Sequence, residues 1–520
     1  MNRASCIQFL ENNTESWDLI IIGGGATGLG TALDSALRGY KTLLLEQSDF
    51  TKGTSSRSTK LVHGGVRYLA QGDLKLVLEA LHERGLLLQN APHLTYNQRF
   101  IIPSFSWWDS LKYGIGLKLY DLLSGKLSLG KSEWIHRKKV KEELSNITDA
   151  QLQAGIVYHD GQFDDARLGI NLAQSATENG ACVLNYMQVT ALGKNTEGRI
   201  NQVQATDLET GQTYTLKGKV IINATGVFVD EILRMDNSSH PPLVRLSQGA
   251  HIVLDASFLP GGSALMIPKT TDGRVLFAIP WHGKVLVGTT DTLTEHSSLE
   301  PRALSEEVDF ILSTFGQYVD KQPSPADVLS VFAGLRPLAR PSQQGAKTKE
   351  ISRNHKLMVS ESGMVTITGG KWTTFRKMAQ DVVDAATSVG RLTIKPCMTH
   401  HFKLHGATTE QDQSHLSVYG TDAMLIRALM LTSAGMAEQL HIAYPFVKAE
   451  VVWALRHEMA RTVEDILARR LRILFLDARA AIAMAPQVAS IMAEELHKDT
   501  QWQNQQIQDF IETAQGYLLH

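Results

Sequence analysis

The sequence predicts an α/β fold (α+β overall): a doubly wound parallel sheet shaped to hold a dinucleotide, an antiparallel-sheet domain set into it, and a helical domain at the C-terminal end. Three observations carry that reading. Trp17 to Gly28 joins an apolar, β-branched strand to Gly23-x-Gly25-x-x-Gly28; residues 251–287 form short apolar runs separated by turns; and beyond Pro396 apolar residues recur at helical spacing.

In the first βα unit, Gly23 permits the tight turn, Gly25 lets backbone approach a pyrophosphate, and Gly28 lets the helix lie close to the strand. Ala26 and Thr27 open that helix, whose positive end faces the phosphates; it is predicted from about Leu29 to Arg38, with Gly39 as its stop. A second apolar run, Thr42 to Leu45, ends at Glu46, about twenty residues past the glycines, where a carboxylate can accept a hydrogen bond from an adenosine ribose. That acid would repel a 2'-phosphate. FAD or NAD is therefore expected, rather than NADP.

A chain of 520 residues divides into roughly two to four domains, and 43% hydrophobic with 20% charged residues is ordinary for a soluble globular protein. The net charge of -2 gives no reason to expect nucleic acid. Cys6, Cys182 and Cys397 lack C-x-x-C spacing, so neither a disulfide framework nor a zinc site is indicated, and a reducing compartment fits. Met1 to Ser16 is polar, unlike a secretory signal, and no stretch offers about eighteen uninterrupted apolar residues for a spanning helix. Any membrane contact is expected to be peripheral.

The stretch Gly53 to Leu69 holds hydroxyls, cations, His63 and the pair Gly64-Gly65. It reads either as a solvated loop or, given its place after Glu46, as a cofactor contact through Thr54, Ser55, Ser56, Ser58, Thr59, Lys60, Leu61, His63 and Gly64. Asp73 to Gln89 reads as an amphipathic helix. Between residues 101 and 141, Trp107, Trp108, Tyr113 and Tyr120 alternate with lysines, a pattern that suits either interdomain packing or a lipid headgroup layer.

Asp164 and Asp165 open a further helix, and turns near Gly198 and Gly211 mark a hairpin. Val220-Ile221-Ile222 then runs into Asn223-Ala224-Thr225-Gly226, small residues at a strand end where a cofactor can rest on backbone. His251–Leu254, Val275–Ile279 and Val285–Val287 read as antiparallel strands of a substrate domain, closed by Gly288-Thr289-Thr290-Asp291. Met364 to Ile367 ends in Thr368-Gly369-Gly370-Lys371-Trp372-Thr373-Thr374, which aims backbone N–H groups at a ligand. In the C-terminal part Arg456, Glu458, Arg461 and Glu464 read as surface pairs. Arg67, Arg336, Arg353 and Lys371 each stand beside a glycine, a strand end or a cofactor motif, a set suited to an anionic, phosphate-bearing substrate.

The glycine fingerprint, Thr54 to Leu69, Asp164 to Arg167, Asn223 to Gly226, Gly288 to Asp291, Arg336-Pro337-Leu338 and Gly369 to Thr374 together resemble the FAD-dependent glycerol-3-phosphate dehydrogenase family, and the likeness extends to the helical region around Lys448 to Arg469. Leu29 and Phe375 depart from it, where a small residue and a tyrosine are usual. The long loop is similar to that of the mitochondrial form, whose calcium-binding extension is not expected because no D-x-D-x-D-G loop appears.

The resemblance implies an FAD-binding domain of the glutathione-reductase/D-amino acid oxidase type over residues 17–100, 151–240 and 331–395. It implies a cap over 101–150 and 241–330, and a helical domain over 396–520. It also implies oxidation of sn-glycerol 3-phosphate to dihydroxyacetone phosphate by hydride transfer from C2 to flavin N5, with a membrane quinone as acceptor. Arg67, Tyr68, Thr290, Arg336, Arg353 and Lys371 would line the substrate site. Arg336, Arg353 and Arg67 are assigned to the phosphate, and Lys371 and Arg336 to the C2 oxygen. His63 titrates in the range a base needs, or orders its loop instead. No metal and no nucleic acid are expected. The expected location is the cytoplasm, at the inner face of the cytoplasmic membrane, and a homodimer stands as an option. An oxidase using O2, an amine oxidase of the D-amino acid oxidase type and a flavin-binding scaffold without turnover are the rival readings.

Overall fold

The computed structural model describes the chain except residues 66–72, 271–272, 340–354, 411, 434 and 520, and the side chains of residues 109, 110, 112 and 126. Arg67, Tyr68 and Arg353 therefore lie outside the described residues.

Two sheets organise the described residues. The first is parallel at its centre: Trp17–Ile22 lies between Thr42–Leu45 and Thr213–Asn223, with Ile20 in register with Leu43 on one side and Ile221 on the other. Cys182–Leu184 and Val365–Thr368 flank these strands, and Lys356–Val359 adds an antiparallel edge. The central strands are almost wholly buried, with helices and the strands Met187–Lys194 and Ile200–Asp207 sharing their core, which is why they read as unbroken apolar runs. The helix after the glycines starts at Ala26, directly after Gly25, and ends at Leu37. It packs against Phe375–Val389, and a Cβ at Gly30 would stand only 2.9 Å from the Phe375 ring. Leu29 is fully buried, so the larger side chain has been taken into the core.

The second sheet is mostly antiparallel. It contains the expected strands Val244–Asp255, Leu276–Trp281 and Lys284–Gly288. It also takes Leu61–Val62, Thr95–Ser104, Ala154–Phe163 and Val328–Ala339, of which the sequence reading places 61–62, 95–100, 154–163 and 331–339 in the nucleotide-binding part and 101–104 and 328–330 in the cap. Their pairing is long-range, and no local pattern shows which sheet an apolar strand will join. The loop from Thr54 to Gly65 thus leaves the first sheet and reaches the second within a few residues.

The C-terminal helices, among them Lys448–His457 and Ala478–Glu495, share a core with Val253, Trp281, Leu286 and Phe332 of the second sheet. Their charged residues match the expected surface pairs only at Arg456 and Arg461, the latter with Glu209. Arg456 pairs with Glu495 at the surface, but Glu458 is fully buried and accepts from both terminal nitrogens of Arg167 at 2.7 Å. Glu464 pairs with Lys52 and Arg469. Arg469 and Arg470 converge on buried Asp49, and Arg472 reaches Asp165 at 2.9 Å. Burial opposes these charges, but the facing arginines hold Asp49 below the usual carboxylate range, and Arg469 and Lys52 bring Glu464 to about 2.

Such pairs cost most when only one partner is removed. Glu458→Leu strands Arg167, while Arg470 keeps Asp49, and should destabilise the protein by about 3–5 kcal/mol. Arg456→Ala at the surface should cost about 1 kcal/mol or less. Denaturant titration of both variants checks the contrast, and equal midpoints would contradict it.

Candidate active site

Where the parallel strands end, a cavity of about 220 Å³ runs over the glycine turn and meets a second of about 300 Å³ beneath the antiparallel sheet. They share Thr54, Pro337, Gly369, Gly370, Lys371 and Trp372. The first is lined by Gly23, Gly25, Ala26, Thr27, Glu46, Ser55, Ala224, Thr225 and Gly226. Gly25 supplies no side-chain cap to the helix, and the Ala26 N–H donates instead to Ser55 Oγ at 2.9 Å. A Cβ at Gly53 or Gly226 would meet no protein atom within 4 Å, so both leave room along the groove. Glu46 accepts from the Gly24 N–H at 2.6 Å and the Ser48 N–H at 2.9 Å. Burial nevertheless pushes its carboxyl up. A long groove with backbone N–H groups at one end and an acid beyond them fits the adenosine and pyrophosphate of FAD.

The larger cavity holds Ser58, Thr59, Leu61, His63, Thr290, Arg336 and Thr373 from the predicted set. Three hydrogen bonds bind its walls together. Trp372 Nε1 donates to the Ser55 carbonyl at 2.8 Å, Thr54 Oγ1 to the Leu335 carbonyl at 2.7 Å, and Thr59 Oγ1 meets His251 Nε2 at 2.9 Å. Arg336 lies on the strand paired with Val244–Asp255, opposite Ser247, and its guanidinium sits over Gly249, where a Cβ would come within 2.2 Å of Nη2. It donates to the carbonyls of Gln248 and Thr290 and to Thr289 Oγ1. The Thr290 hydroxyl accepts from the Ala250 N–H and donates to Glu307 at 2.7 Å, so it supports the wall.

Five predicted cofactor contacts do not line either cavity. Gly28 is needed for packing: a Cβ there would lie 1.9 Å from the Gly23 carbonyl. Gly64 faces Leu81 and Tyr120. Ser56 and Thr374 are buried, and the Thr374 hydroxyl donates to the Lys371 carbonyl. Lys60 is fully buried with its ammonium 2.6 Å from Asp165 Oδ2 and 2.7 Å from the Ser56 carbonyl. Burial lowers it to about 7, with Asp165 opposing. Close packing decided the matter for the two glycines and side-chain direction for Ser56, Lys60 and Thr374, and composition encodes neither.

Several cavity residues were missed from the sequence: Asp160, His251 and Arg274, with Phe100, Tyr158 and Phe277 as an aromatic wall. Asp160 had a signal, being an acid inside the apolar strand Ala154–Phe163. His251 stacks on Phe332, and Gly288 makes room for its ring. Burial keeps that imidazole neutral, its pKa well below the ordinary histidine value.

A family model described as FAD dependent oxidoreductase matches residues 18–376, and one described as the C-terminal domain of alpha-glycerophosphate oxidase matches residues 360–504. The chain is 37% identical to the human mitochondrial glycerol-3-phosphate dehydrogenase, over 98% of this chain and 74% of that protein. It is 39% identical to the mitochondrial glycerol-3-phosphate dehydrogenase of Arabidopsis thaliana, over 95% of this chain and 86% of that protein. The solved glycerol-3-phosphate dehydrogenase of Bacillus halodurans complexed with FAD superposes with a TM-score of 0.81 at 29% identity, covering 99% of this chain and 97% of that one. An L-alpha-glycerophosphate oxidase from Mycoplasma pneumoniae shares the fold, with a TM-score of 0.57 at 17% identity. With FAD as its cofactor, the chain belongs to the FAD-dependent glycerol-3-phosphate dehydrogenases.

Proposed function

We propose that the protein oxidises sn-glycerol 3-phosphate to dihydroxyacetone phosphate, with FAD supplying the hydride acceptor at N5 and passing electrons to a membrane quinone. The observation that carries this reading is the placement of Arg336 and Lys371 in the wall of one cavity that is continuous with the dinucleotide groove. Arg336 is held rigidly by three acceptors around a glycine, so its fork is already oriented when a phosphoester arrives. Arg67, Tyr68 and Arg353 are assigned to the same substrate, with Arg353 and Arg67 on the phosphate. Lys371 and Arg336 polarise the C2 oxygen. His63 takes the C2 hydroxyl proton, because an alkoxide expels hydride more readily than an alcohol does.

We further assign peripheral contact with the inner face of the cytoplasmic membrane to the helix Trp107–Ser124. It exposes Trp107, Trp108, Leu111, Ile115, Leu119 and Leu122, while no helix among the described residues is long and apolar enough to cross a membrane.

Adding sn-glycerol 3-phosphate under nitrogen should bleach the flavin absorbance, and turnover should reduce a quinone analogue without stoichiometric peroxide; peroxide as the main product would assign an oxidase. Arg336→Leu removes charge-assisted hydrogen bonds of about 1.5–3 kcal/mol and should weaken substrate binding roughly 10- to 100-fold. Unchanged substrate affinity in an anaerobic titration would remove Arg336 from that role. His63→Ala should slow flavin reduction in stopped flow by about 10²–10⁴-fold, with the parent rate as the contrary result. Ile115→Glu with Leu122→Glu should abolish cosedimentation with anionic vesicles, and retained binding would place the membrane surface elsewhere.

A further inference from the structure

The peptide between His63 and Gly64 is gripped at both ends. Its carbonyl accepts from Thr373 Oγ1 at 3.4 Å, and its N–H donates to Asp160 Oδ1 at 3.2 Å. Asp160 lies at the floor of the larger cavity and is only 3% exposed. Its carboxylate is itself fixed: Arg84 Nη1 donates to Oδ1 at 2.9 Å, the Gly161 N–H to Oδ1 at 3.1 Å, and Tyr120 Oη to Oδ2 at 2.9 Å. Gly64 is packed so closely that a Cβ would lie 2.2 Å from Leu81 and 2.3 Å from Tyr120 Oη. With no side chain there to anchor the turn, the backbone N–H is the handle by which it is held.

We propose that Asp160 is a positioning residue: by holding the Gly64 N–H it fixes the His63–Gly64 peptide and thereby sets the direction of His63 in the cavity. Arg84 and Tyr120, from the helices Leu74–Asn90 and Trp107–Ser124, hold the carboxylate in turn. The catalytic consequence rests on the proposed part of His63 in flavin reduction. Rates are sensitive to such placement, since about 1 Å of misplacement can cost about 10²-fold.

The test separates the two claims. Asp160→Ala combined with Arg84→Met removes the carboxylate without stranding the guanidinium; Asp160→Asn keeps an acceptor oxygen for the Gly64 N–H. Hydrogen exchange followed by mass spectrometry on the segment 61–65 reads the positioning directly. Exchange should quicken at least tenfold in the double variant and return toward the parent in Asp160→Asn. Flavin reduction should fall roughly 10- to 100-fold in the double variant, at unchanged substrate KM, recover in Asp160→Asn, and be no slower with His63→Ala added than in His63→Ala alone. Unchanged exchange in the double variant, or losses that multiply in the His63→Ala background, would overturn the proposal. Faster exchange with undiminished flavin reduction would instead uphold the positioning and remove His63 from the chemistry. Should the double variant fail to retain FAD, Tyr120→Phe, which takes one donor from the carboxylate, should quicken the same exchange measurably, and parent-like exchange there would overturn the positioning.

Discussion

The buried carboxylates Asp49, Asp164, Asp165 and Glu458 are what the rest of this structure leans on. Each faces a cation brought from far away in the sequence: Arg469 and Arg470 at Asp49, Arg472 at Asp164, Lys60 and Arg472 at Asp165, and Arg167 at Glu458. Charges inside a protein are expensive unless paired. The C-terminal segment 458–472 therefore cannot leave without exposing unpaired carboxylates beneath the nucleotide-binding sheet. Because Ser58 and Lys60 bond to the same Asp165, the cluster also dictates the course of the loop that lines the cofactor groove.

That loop is the hinge between the two sheets in a geometric sense. It touches the glycine turn through Ser55, passes Thr54 and Thr59, which bond to Leu335 and His251 of the second sheet, and reaches His63 beside Thr373. Glycines at the crossing points are demanded by contact: Gly249 beneath Arg336 and Gly288 beside His251 each make room for a polar group that a methyl would expel. Cofactor groove and substrate cavity are consequently one space, with Lys371 and Trp372 at their junction.

Lys60 illustrates how a correct regional reading can go wrong atom by atom. The loop does form the wall of the site, yet this cation turns inward to Asp165, between Trp281, Phe332 and Phe475. Glu458 departs from its reading in the same direction. Beside Arg456 on a helical stretch it reads as half of a surface pair, but Arg167, 291 positions earlier, meets it in the interior. Neither residue differs in its local sequence from a solvated one.

What the sequence by itself determined is whatever depends on neighbours along the chain: the glycine turn and its helix, the acid at the end of the second strand, the hairpin over 187–207, and the strand ends at Ala224 and Gly370. These follow from backbone freedom and from periodic burial, which are local properties. Tertiary structure alone decided which sheet the strands at 95–104 and 154–163 would join, which cations face the cavity and which face a buried acid, and that Asp160 meets Gly64. Those outcomes depend on partners distant along the chain, Asp160 lying 96 positions from Gly64 and Asp165 105 from Lys60, and the free energy of pairing a buried charge is set by where its partner arrives.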